Sequence, residues 1–466
     1  MDARRGRERA DARSASSKAS PARLAALGAC RAIRERDAYA QEVIQAGIDR
    51  SSLAPEDRAF ATLLVLGVVS TWGVLDDLID RSLRSPKDVK PDVRDALRIA
   101  AYEMLFLGKE SYASVDQGVE MVRAVAPRAA GLGNAALRAM ARNASGFPFG
   151  DPSRDVGALA RSLGFPRWLA ERLVGDLGVS AACDLMAASN EPAPLFAAEN
   201  PFKAQEGEVA SELARAKAAV ERVSFDGEEV RGCYRVSPAR VLADGRIRKL
   251  IDDGKMLVSD ASSQRVASLV LPEEKPASLL EVGAGRGTKT ILLEAAALRR
   301  WGAPLERHVA IDNHAFKTKL LMERVRSYGI DCVEGAVGDA LRLPEALDGS
   351  SFECVFIDAP CSGLGTLRRH PEIRWRLTPR HVDELARTQL GLLRSAAAVV
   401  APGGTLSYAT CTVTQQENLQ VVKAFLASGE GAAFALAPIG GKSCFAPLLS
   451  SGSADAHFAV RFQRRG

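Results

Sequence analysis

The chain has 466 residues, of which 47% are hydrophobic and 26% charged. This is an ordinary balance for a globular protein, and the chain is too long for one compact core. Lys and Arg outnumber Asp and Glu by 62 to 57, which is compatible with a nucleic-acid partner without requiring one. Eight cysteines without a C-x-x-C pair and only five histidines argue against a zinc site and a disulfide framework. We therefore expect no metal and a reducing cytoplasm.

The first part of the chain is predicted to be helical. Residues 1–20 are rich in Arg and Lys and contain no apolar run, so we expect a disordered basic tail. Residues 21–145 are rich in Ala, Leu and Arg at helical spacing and predict an all-α domain. The uncharged run of residues 59–75 falls just short of a membrane span and contains Gly67 and Thr71. We expect a buried core helix there, and no membrane segment.

The pattern changes twice further along the chain. The segment "NASGFPFGDPSRD", 143–155, is rich in Gly, Pro and Ser and marks a break. Residues 146–255 mix short helices with strand candidates and predict a small α+β connector. From 256 to 466, short apolar strands alternate with helices, which is typical of a doubly wound parallel α/β sheet.

The segment "LLEVGAGRGTKT", 279–290, predicts a strand, a Gly-rich turn and the start of a helix. Glycines let the backbone approach a ligand closely, and the start of the helix offers unpaired N–H groups. Such turns occur in proteins that bind NAD, FAD or S-adenosylmethionine (SAM), so the turn alone does not choose between them. The candidate cofactor-binding residues of this turn are Gly283, Ala284, Gly285, Arg286, Gly287, Thr288 and Lys289.

Acidic residues follow the next three strands of the pattern. Asp312 ends "VAID", where a carboxylate can bind ribose hydroxyls, and Asp339 follows the third strand, where it could meet an adenine amino group. Asp358 ends the fourth strand. Any one of these acids could be a solvated loop residue or a helix cap. Several of them at successive strand ends indicate a nucleotide-type site.

Two cysteines also lie at strand ends. Cys361 follows the strand that contains "CVFID", and Cys411 follows "TLSYAT". Ligands of an open α/β sheet bind beyond the carboxyl ends of the strands, so neighbouring strands would open both thiols into one crevice. A buried structural cysteine is the usual alternative. The polar, Gly-containing loops around these two favour reactive thiols.

The segments "DAPCSGLGTLRRHPEIRW" (358–375) and "YATCTVTQQEN" (408–418) resemble the paired-cysteine signatures of the RNA 5-methylcytosine methyltransferases of the RsmB/Nop2/Sun type. "RIAAYEMLFL" and "GNAALRAMARN" resemble the NusB-like helical RNA-binding domain of the bacterial 16S rRNA members. The resemblance implies a NusB-like domain over 21–145, an RRM-like connector over 146–255 and a Rossmann-like class I SAM methyltransferase domain over 256–466. It also implies SAM as cofactor, RNA (16S rRNA) as partner, and a monomer.

The resemblance also implies a role for individual residues. Cys411 matches the nucleophile that adds to C6 of cytosine, and Cys361 matches the cysteine that helps remove the C5 proton and release the product. Asp358 matches the residue that bonds the N3/N4 edge of the base. The basic run after the first signature is expected to bind RNA, its alternative being a solvated loop. This run contains Arg368, Arg369, His370, Arg374 and Trp375.

The sequence departs from the family pattern in four places. Ala198 stands where an Arg is common, and Lys317 replaces the Arg that usually follows the acid of the second strand. "EVGAGRGTKT" replaces D-x-C-A-A-P-G-G-K-T in the cofactor loop, and "DAHF" (455–458) replaces Asp-Gly-Phe-Phe.

Two other functions stay open. A non-catalytic RNA-binding or assembly factor should have lost at least one of Cys411, Cys361, Asp358 and the second-strand acid Asp312, and none is missing. An NAD-dependent enzyme would give the cysteines no role. The sequence therefore favours a SAM-dependent RNA cytosine-C5 methyltransferase.

Overall fold

A computed structural model describes residues 19–466. The predicted basic tail, residues 1–20, lies almost wholly outside this range. The chain forms two compact units. The first comprises the chain as far as Ala182 together with Leu367–Arg376, and the second comprises Cys183–Thr366 and Leu377–Gly466. A ten-residue piece that follows the first cysteine signature therefore belongs to the first unit.

The first unit is built from helices. Proline occupies the first position of three of them, where the missing N–H is not needed by the helix. The helices are α1 (Pro21–Arg36), α2 (Ala40–Val43), α3 (Pro55–Arg81), α4 (Pro91–Leu105), α5 (Ser111–Val125), α6 (Ala130–Asn143), α7 (Val156–Ser162), α8 (Arg167–Leu177) and α9 (Val179–Ala188), the last of which continues past Ala182 into the second unit.

Helix α3 is the apolar helix that the sequence predicts around residues 59–75. Its length and hydropathy alone would also allow it to cross a membrane. However, 56% of its most apolar window is buried inside the protein. Leu64, Val68, Leu75 and Leu78 are fully inaccessible and belong to one core with residues of α1, α4 and α6. α3 is therefore a core helix of this unit.

The helical unit extends beyond the predicted boundary at residue 145. Leu169, Ala170 and Leu173 of α8 are buried, and α7 and α8 remain with the helical unit. The Gly/Pro-rich break is an internal loop whose Phe147 ring lies 5.6 Å from that of Phe106. The compact unit therefore continues past this break.

The second unit begins with a small α+β part. Four strands form an antiparallel sheet in the order β2-β3-β1-β4. With two helices the chain order is βαββαβ, the connectivity of ferredoxin-like folds. The elements are β1 (Leu195–Glu199), α10 (Glu208–Arg215), β2 (Ala219–Phe225), β3 (Glu228–Ser237), α11 (Gly245–Asp252) and β4 (Met256–Val258).

The rest of the second unit is a seven-stranded sheet in the order β10-β11-β9-β8-β5-β6-β7. Strand β11 alone runs against its two neighbours, and the other pairs are parallel. The strands are β5 (Ser278–Val282), β6 (Arg307–Asp312), β7 (Val333–Val337), β8 (Phe352–Asp358), β9 (Val400–Thr410), β10 (Phe434–Ala437) and β11 (Phe458–Arg464). This is the predicted α/β sheet, with β8 between β5 and β9.

Helices cover both faces of this sheet. Alternate residues of the central strands enter two separate apolar clusters, so that Leu279 belongs to one and Leu280 to the other. The helices are α12 (Ala261–Val270), α13 (Thr288–Trp301), α14 (Ala315–Ser327), α15 (Leu343–Ala346), α17 (Pro379–Val399) and α18 (Leu419–Leu426). The short helix α16 (Ile373–Arg376) lies in the piece that belongs to the first unit.

Candidate active site

The structure brings the two predicted cysteines together. Strands β8 and β9 pair in parallel with Asp358 opposite Ala409, so the loops that follow them start at the same edge of the sheet. The Sγ atoms of Cys361 and Cys411 are 3.2 Å apart, and the backbone N–H of Cys411 lies 3.3 Å from the Cys361 sulfur. A disulfide bond would be about 2.05 Å long, so both are free thiols in hydrogen-bonding contact.

This contact gives the two thiols different acidities. The hydrogen bond from Cys361 lowers the pKa of Cys411, burial opposes this, and the ammonium group of Lys289 lowers the pKa further. The same hydrogen bond, together with burial and the negative charge of Cys411, raises the pKa of Cys361 well above its usual value. Cys411 is thus the thiol that ionises first. Cys361 keeps its proton and donates a hydrogen bond to the Cys411 sulfur.

Lys289 connects the cofactor loop to the thiols. It lies in the first turn of α13, its side chain is 12% exposed, and its Nζ is 2.7 Å from Oδ2 of Asp358. Burial lowers the pKa of Lys289, but the carboxylate of Asp358 outweighs burial and the net pKa is raised. A charged ammonium group therefore stands beside both Asp358 and Cys411.

The Gly-rich turn leaves its backbone uncovered by side chains. Gly283, Gly285 and Gly287 have φ values of 81°, 57° and 80°, which L-residues with side chains rarely adopt. A Cβ atom on Gly283 would lie 2.6 Å from the carbonyl oxygen of Asp358. The Gly285 N–H donates to Oδ2 of Asp312 over 3.1 Å. Glycine is thus required where β5 passes closest to the end of β8.

These residues fit the adenosyl part of SAM. The uncovered turn ends at the start of α13, and Asp312 stands at the end of β6 with a carboxylate suited to ribose hydroxyls. Asp339 is exposed after β7, and one of its carboxylate oxygens accepts the N–H of Leu341. Arg286 is exposed as well. The positions of these residues are therefore compatible with a bound SAM at this unusual loop sequence.

Two side-chain partners of the cofactor loop were not predicted from the sequence. Arg324 of α14 donates from Nη1 to the carbonyl oxygen of Arg286 at 3.0 Å and lies 3.1 Å from Oγ1 of Thr288. Glu281, at the end of β5, accepts the hydroxyl proton of Thr290 at 2.6 Å. Both contacts connect residues on different elements, so no local sequence pattern indicates them.

A histidine without solvent contact lies behind Glu281. Nε2 of His308 is 3.3 Å from Oε2 of Glu281, and its Nδ1 is 2.7 Å from Oε1 of Glu294. Burial alone would lower the pKa of His308, but the neighbouring carboxylates of Glu281 and Glu294 raise it to about 9. An imidazolium between two carboxylates thus supports the strand that carries the cofactor loop.

The basic run after the first cysteine signature, which the sequence predicts to bind RNA, is largely buried. Arg374 is fully buried, with its guanidinium group 4.1 Å from the centre of the Phe165 ring. Nε1 of Trp375 donates to the carbonyl oxygen of Ser70 at 3.0 Å. Arg368 is 6% exposed. Arg374 and Trp375 pack into the helical unit. The burial of Arg368 and Arg374 leaves neither side chain accessible to RNA in this structure and also excludes the alternative of a solvated loop for these two residues.

The other three residues of this run, Arg369, His370 and Trp375, are half-buried. The His370 ring lies 5.2 Å from that of Tyr39. RNA binding by these three residues stays a prediction. As for metals, residues 19–466 contain no group of three or more His, Cys, Asp or Glu side chains placed to hold an ion.

The fold and the site together define a class of protein. A seven-stranded sheet with one reversed strand, a Gly-rich turn after β5 and acidic residues after the following strands are those of a class I SAM-dependent methyltransferase. The paired thiols add a feature that cofactor binding does not need.

Comparison with known proteins identifies the family. The sequence model of the 16S rRNA methyltransferases RsmB/F matches residues 267–443, and that of the NusB family matches residues 20–142. The ribosomal RNA small subunit methyltransferase B of Thermus thermophilus is 31% identical over 395 residues, 84% of each chain. The protein of the same name from Klebsiella pneumoniae is 28% identical over 399 residues, 83% of this chain and 87% of that one.

Solved structures share the fold. The crystal structure of PH0851 has a TM-score of 0.76 at 24% identity and covers 96% of this chain and 100% of its own. NSun6 from Pyrococcus horikoshii, solved with SFG, has a TM-score of 0.54 at 18% identity over 65% of this chain and 99% of its own. This chain belongs to the RsmB/F family of 16S rRNA methyltransferases and carries a NusB domain, and its cofactor is SAM.

Proposed function

We propose that this protein methylates C5 of a cytosine in 16S rRNA through a covalent bond between Cys411 and C6 of the base. The observation that carries the proposal is the pair of thiols 3.2 Å apart whose pKa values shift in opposite directions. The names of the relatives support 16S rRNA as the substrate. A monomer acting in the cytoplasm is part of the same proposal.

The first step uses the ionised thiol. C5 of cytosine is a weak nucleophile, and addition of the Cys411 thiolate to C6 converts the ring into an enamine whose C5 can accept a methyl group. Bound SAM supplies that methyl group as an electrophile. In this proposal the carboxylate of Asp358, which is paired with Lys289, accepts a hydrogen bond from the exocyclic amino group of the base. The base must leave its stack to reach these groups.

The second step uses the other thiol. Once Cys411 is bonded to carbon, it no longer carries the charge that raises the pKa of Cys361. Cys361 can then lose its proton to solvent and take the proton from C5. The C5–H electrons form the C5–C6 double bond, and the C6–S bond breaks. The product is 5-methylcytosine, Cys411 returns as the thiolate and Cys361 as the thiol.

Two alanine variants test the order of these steps. We expect Cys411→Ala to abolish methylation and to form no RNA adduct, because nothing adds to C6. Cys361→Ala should still attack and transfer the methyl group, then stall with RNA bonded to Cys411. The stalled complex is measured as a slow band on a denaturing gel that ribonuclease removes.

The double variant is the control, and it should behave like Cys411→Ala. An adduct in Cys411→Ala and none in Cys361→Ala would show that the roles are exchanged. Full activity of both single variants would disprove the covalent mechanism. Bisulfite sequencing of 16S rRNA from a strain that lacks the protein should show the loss of one protected cytosine, which returns when the wild-type chain is supplied.

A further inference from the structure

A buried carboxylate that the mechanism does not use lies behind the two thiols. Glu417 is fully inaccessible to solvent and lies between the end of β9 and helix α18. It accepts hydrogen bonds from Ser362 N (2.8 Å), Ser362 Oγ (2.5 Å), Thr414 Oγ1 (2.8 Å), Gln389 Nε2 (3.1 Å) and Thr412 Oγ1 (3.3 Å).

The donors come from both thiol loops. Ser362 directly follows Cys361, and Thr412 directly follows Cys411. Their hydroxyl oxygens are also 2.6 Å from each other. A single carboxylate thus joins the loop after β8 to the loop after β9, at the residue next to each thiol.

The rest of the surroundings fix the carboxylate in place. Nε2 of Gln389, on α17, donates to Glu417 and to the carbonyl oxygen of Pro360 at 2.9 Å, just before Cys361. The Tyr408 hydroxyl donates to the backbone carbonyl of Glu417 at 2.7 Å. Asn418 donates from Nδ2 to the carbonyl oxygen of Thr412 at 3.0 Å. Glu417 is therefore held by α17 and β9 as well as by the thiol loops.

The chemistry of this cluster calls for a residue that only accepts. Oε1 of Glu417 accepts from the Ser362 backbone N–H and from Nε2 of Gln389, which can only donate, and Oε2 accepts from the three hydroxyl groups. An ionised carboxylate accepts all of these bonds. A glutamine side chain of the same shape keeps one acceptor oxygen for the Ser362 N–H and Gln389, but its NH2 group replaces the oxygen that receives the three hydroxyl protons. These hydroxyl groups would have to reverse, and the charge-assisted bonds that join the two thiol loops would be lost.

We propose that Glu417 is a positioning residue that holds the thiols of Cys361 and Cys411 at bonding distance. The proposal rests on the proposed function for its catalytic consequence, since addition and proton removal need both sulfurs at one base. The distance between the thiols is a property of the protein alone and can be measured without RNA or SAM.

The first test measures this distance chemically. Diamide takes two electrons and two protons from a thiol pair, is reduced to the hydrazine, and leaves a disulfide. We expect Glu417→Gln to slow formation of the Cys361–Cys411 disulfide by about tenfold or more, because the rate depends on the proximity of the sulfurs. Mass spectrometry of the linked peptides distinguishes this disulfide from those of the other cysteines.

The second test is kinetic. We expect Glu417→Gln to lower kcat by roughly 10- to 100-fold, as is typical when the support of a functional group is removed. The Kd for SAM should stay unchanged, because the cofactor loop has no contact with this cluster among the bonds above. Glu417→Asp keeps the charge on a shorter side chain and should lie between the wild type and Glu417→Gln in both tests.

A second buried glutamate provides the matched control. Glu103 in the helical unit is also fully buried and accepts from Nε and Nη2 of Arg23 at 3.0 and 2.6 Å. We expect Glu103→Gln to lower stability while leaving the diamide rate and kcat unchanged. If Glu417→Gln does not fold, Ser362→Ala and Thr412→Val each remove one donor and should slow the disulfide by a smaller factor.

The outcomes separate this proposal from the proposed function. A diamide rate in Glu417→Gln, or in both donor variants, equal to that of the wild type overturns the positioning role whatever the RNA chemistry is. A slower diamide rate with full methylation by Cys411→Ala would instead confirm the positioning and reject the covalent mechanism.

Discussion

The lowered pKa of Cys411 depends on single residues from separate parts of the chain. Cys361 provides its hydrogen bond, Lys289 its neighbouring positive charge, and Asp358 holds Lys289 at 2.7 Å. The motifs predicted the cysteines and Asp358 at strand ends, and placed Lys289 in the cofactor loop. They did not predict that Lys289 would stand beside a thiol, because that contact joins residues more than a hundred positions apart.

Replacement of Lys289 should make the Cys411 thiolate harder to form. Lys289→Met keeps an apolar stem of similar length and removes the positive charge, so we expect the pKa of Cys411 to rise. Alkylation of Cys411 by iodoacetamide at neutral pH should become several-fold slower in the protein without SAM. Peptide mapping over a range of pH measures the apparent pKa.

Lys275 serves as the control for this substitution. It is half-buried, and its Nζ lies 3.5 Å from a carboxylate oxygen of Glu306. Lys275→Met should leave the alkylation profile of Cys411 unchanged. An unaltered profile in Lys289→Met would show that the hydrogen bond from Cys361 alone controls the thiolate.

At the scale of elements, β5, β6 and α13 meet at a charged group without access to water. His308 lies on β6, Glu281 on β5 and Glu294 on α13. The sequence predicts these elements from apolar runs and from the Gly-rich turn. Which polar side chains they bring together depends on the strand order, in which β6 pairs with β5.

This group should make stability depend on pH. The pKa of His308 is about 9 in the folded protein and about 6.5 in the unfolded chain, so folding gains from its protonation. The gain is complete below about pH 6.5 and is lost as the pH rises through about 9. The difference between the two pKa values corresponds to a contribution of about 3 kcal/mol to the free energy of unfolding. Urea unfolding of the wild type at both ends of this range measures the loss.

His308→Gln isolates the contribution of the imidazole. It should be less stable than the wild type at about pH 6.5, and the difference should shrink by about pH 9.5. His381→Gln, at an exposed position of α17, should follow the wild type at every pH. A stability difference between His308→Gln and the wild type that does not change with pH would contradict the assignment.

At the scale of the whole molecule, a short segment of the chain belongs to the helical unit although the residues on both sides of it belong to the second unit. The piece Leu367–Arg376 begins six residues after Cys361 and belongs to the helical unit. Arg374 donates to the carbonyl oxygen of Gly164 at 3.3 Å, and burial lowers its pKa to about 9. A Cβ atom on Gly73 would meet the Trp375 ring at 2.4 Å, so glycine makes room for the indole.

Removal of the indole should loosen the helical unit. We expect Trp375→Ala to lower its unfolding free energy by about 2–4 kcal/mol, because it leaves a cavity at α3 and removes a hydrogen bond to Ser70. Hydrogen exchange of the α3 amides measures the effect. SAM affinity should not change, because the cofactor loop belongs to the other unit.

Tyr112 is the matched aromatic control for this variant. It lies in the same unit with 83% of its surface exposed, and Tyr112→Ala should change stability by less than about 0.5 kcal/mol. If the α3 amides are equally protected from hydrogen exchange in Trp375→Ala and in the wild type, packing of Trp375 does not stabilise the helical unit.

The sequence by itself determined the features that contiguous residues encode. The apolar spacing of α3, the Gly-rich turn before α13 and the residues at the ends of β8 and β9 follow from local periodicity and backbone preference. From these the class of sheet, the cofactor loop and the two thiols could be predicted.

Only the tertiary structure decided which distant groups meet. The bonds of Glu417 to both thiol loops, the place of His308 between two carboxylates and the burial of Arg374 all join residues far apart in the chain. A buried polar group must find a partner, but its own sequence neighbourhood does not say which one. For the same reason, the Gly/Pro-rich break near residue 145 does not by itself predict that the ring of Phe147 packs against that of Phe106.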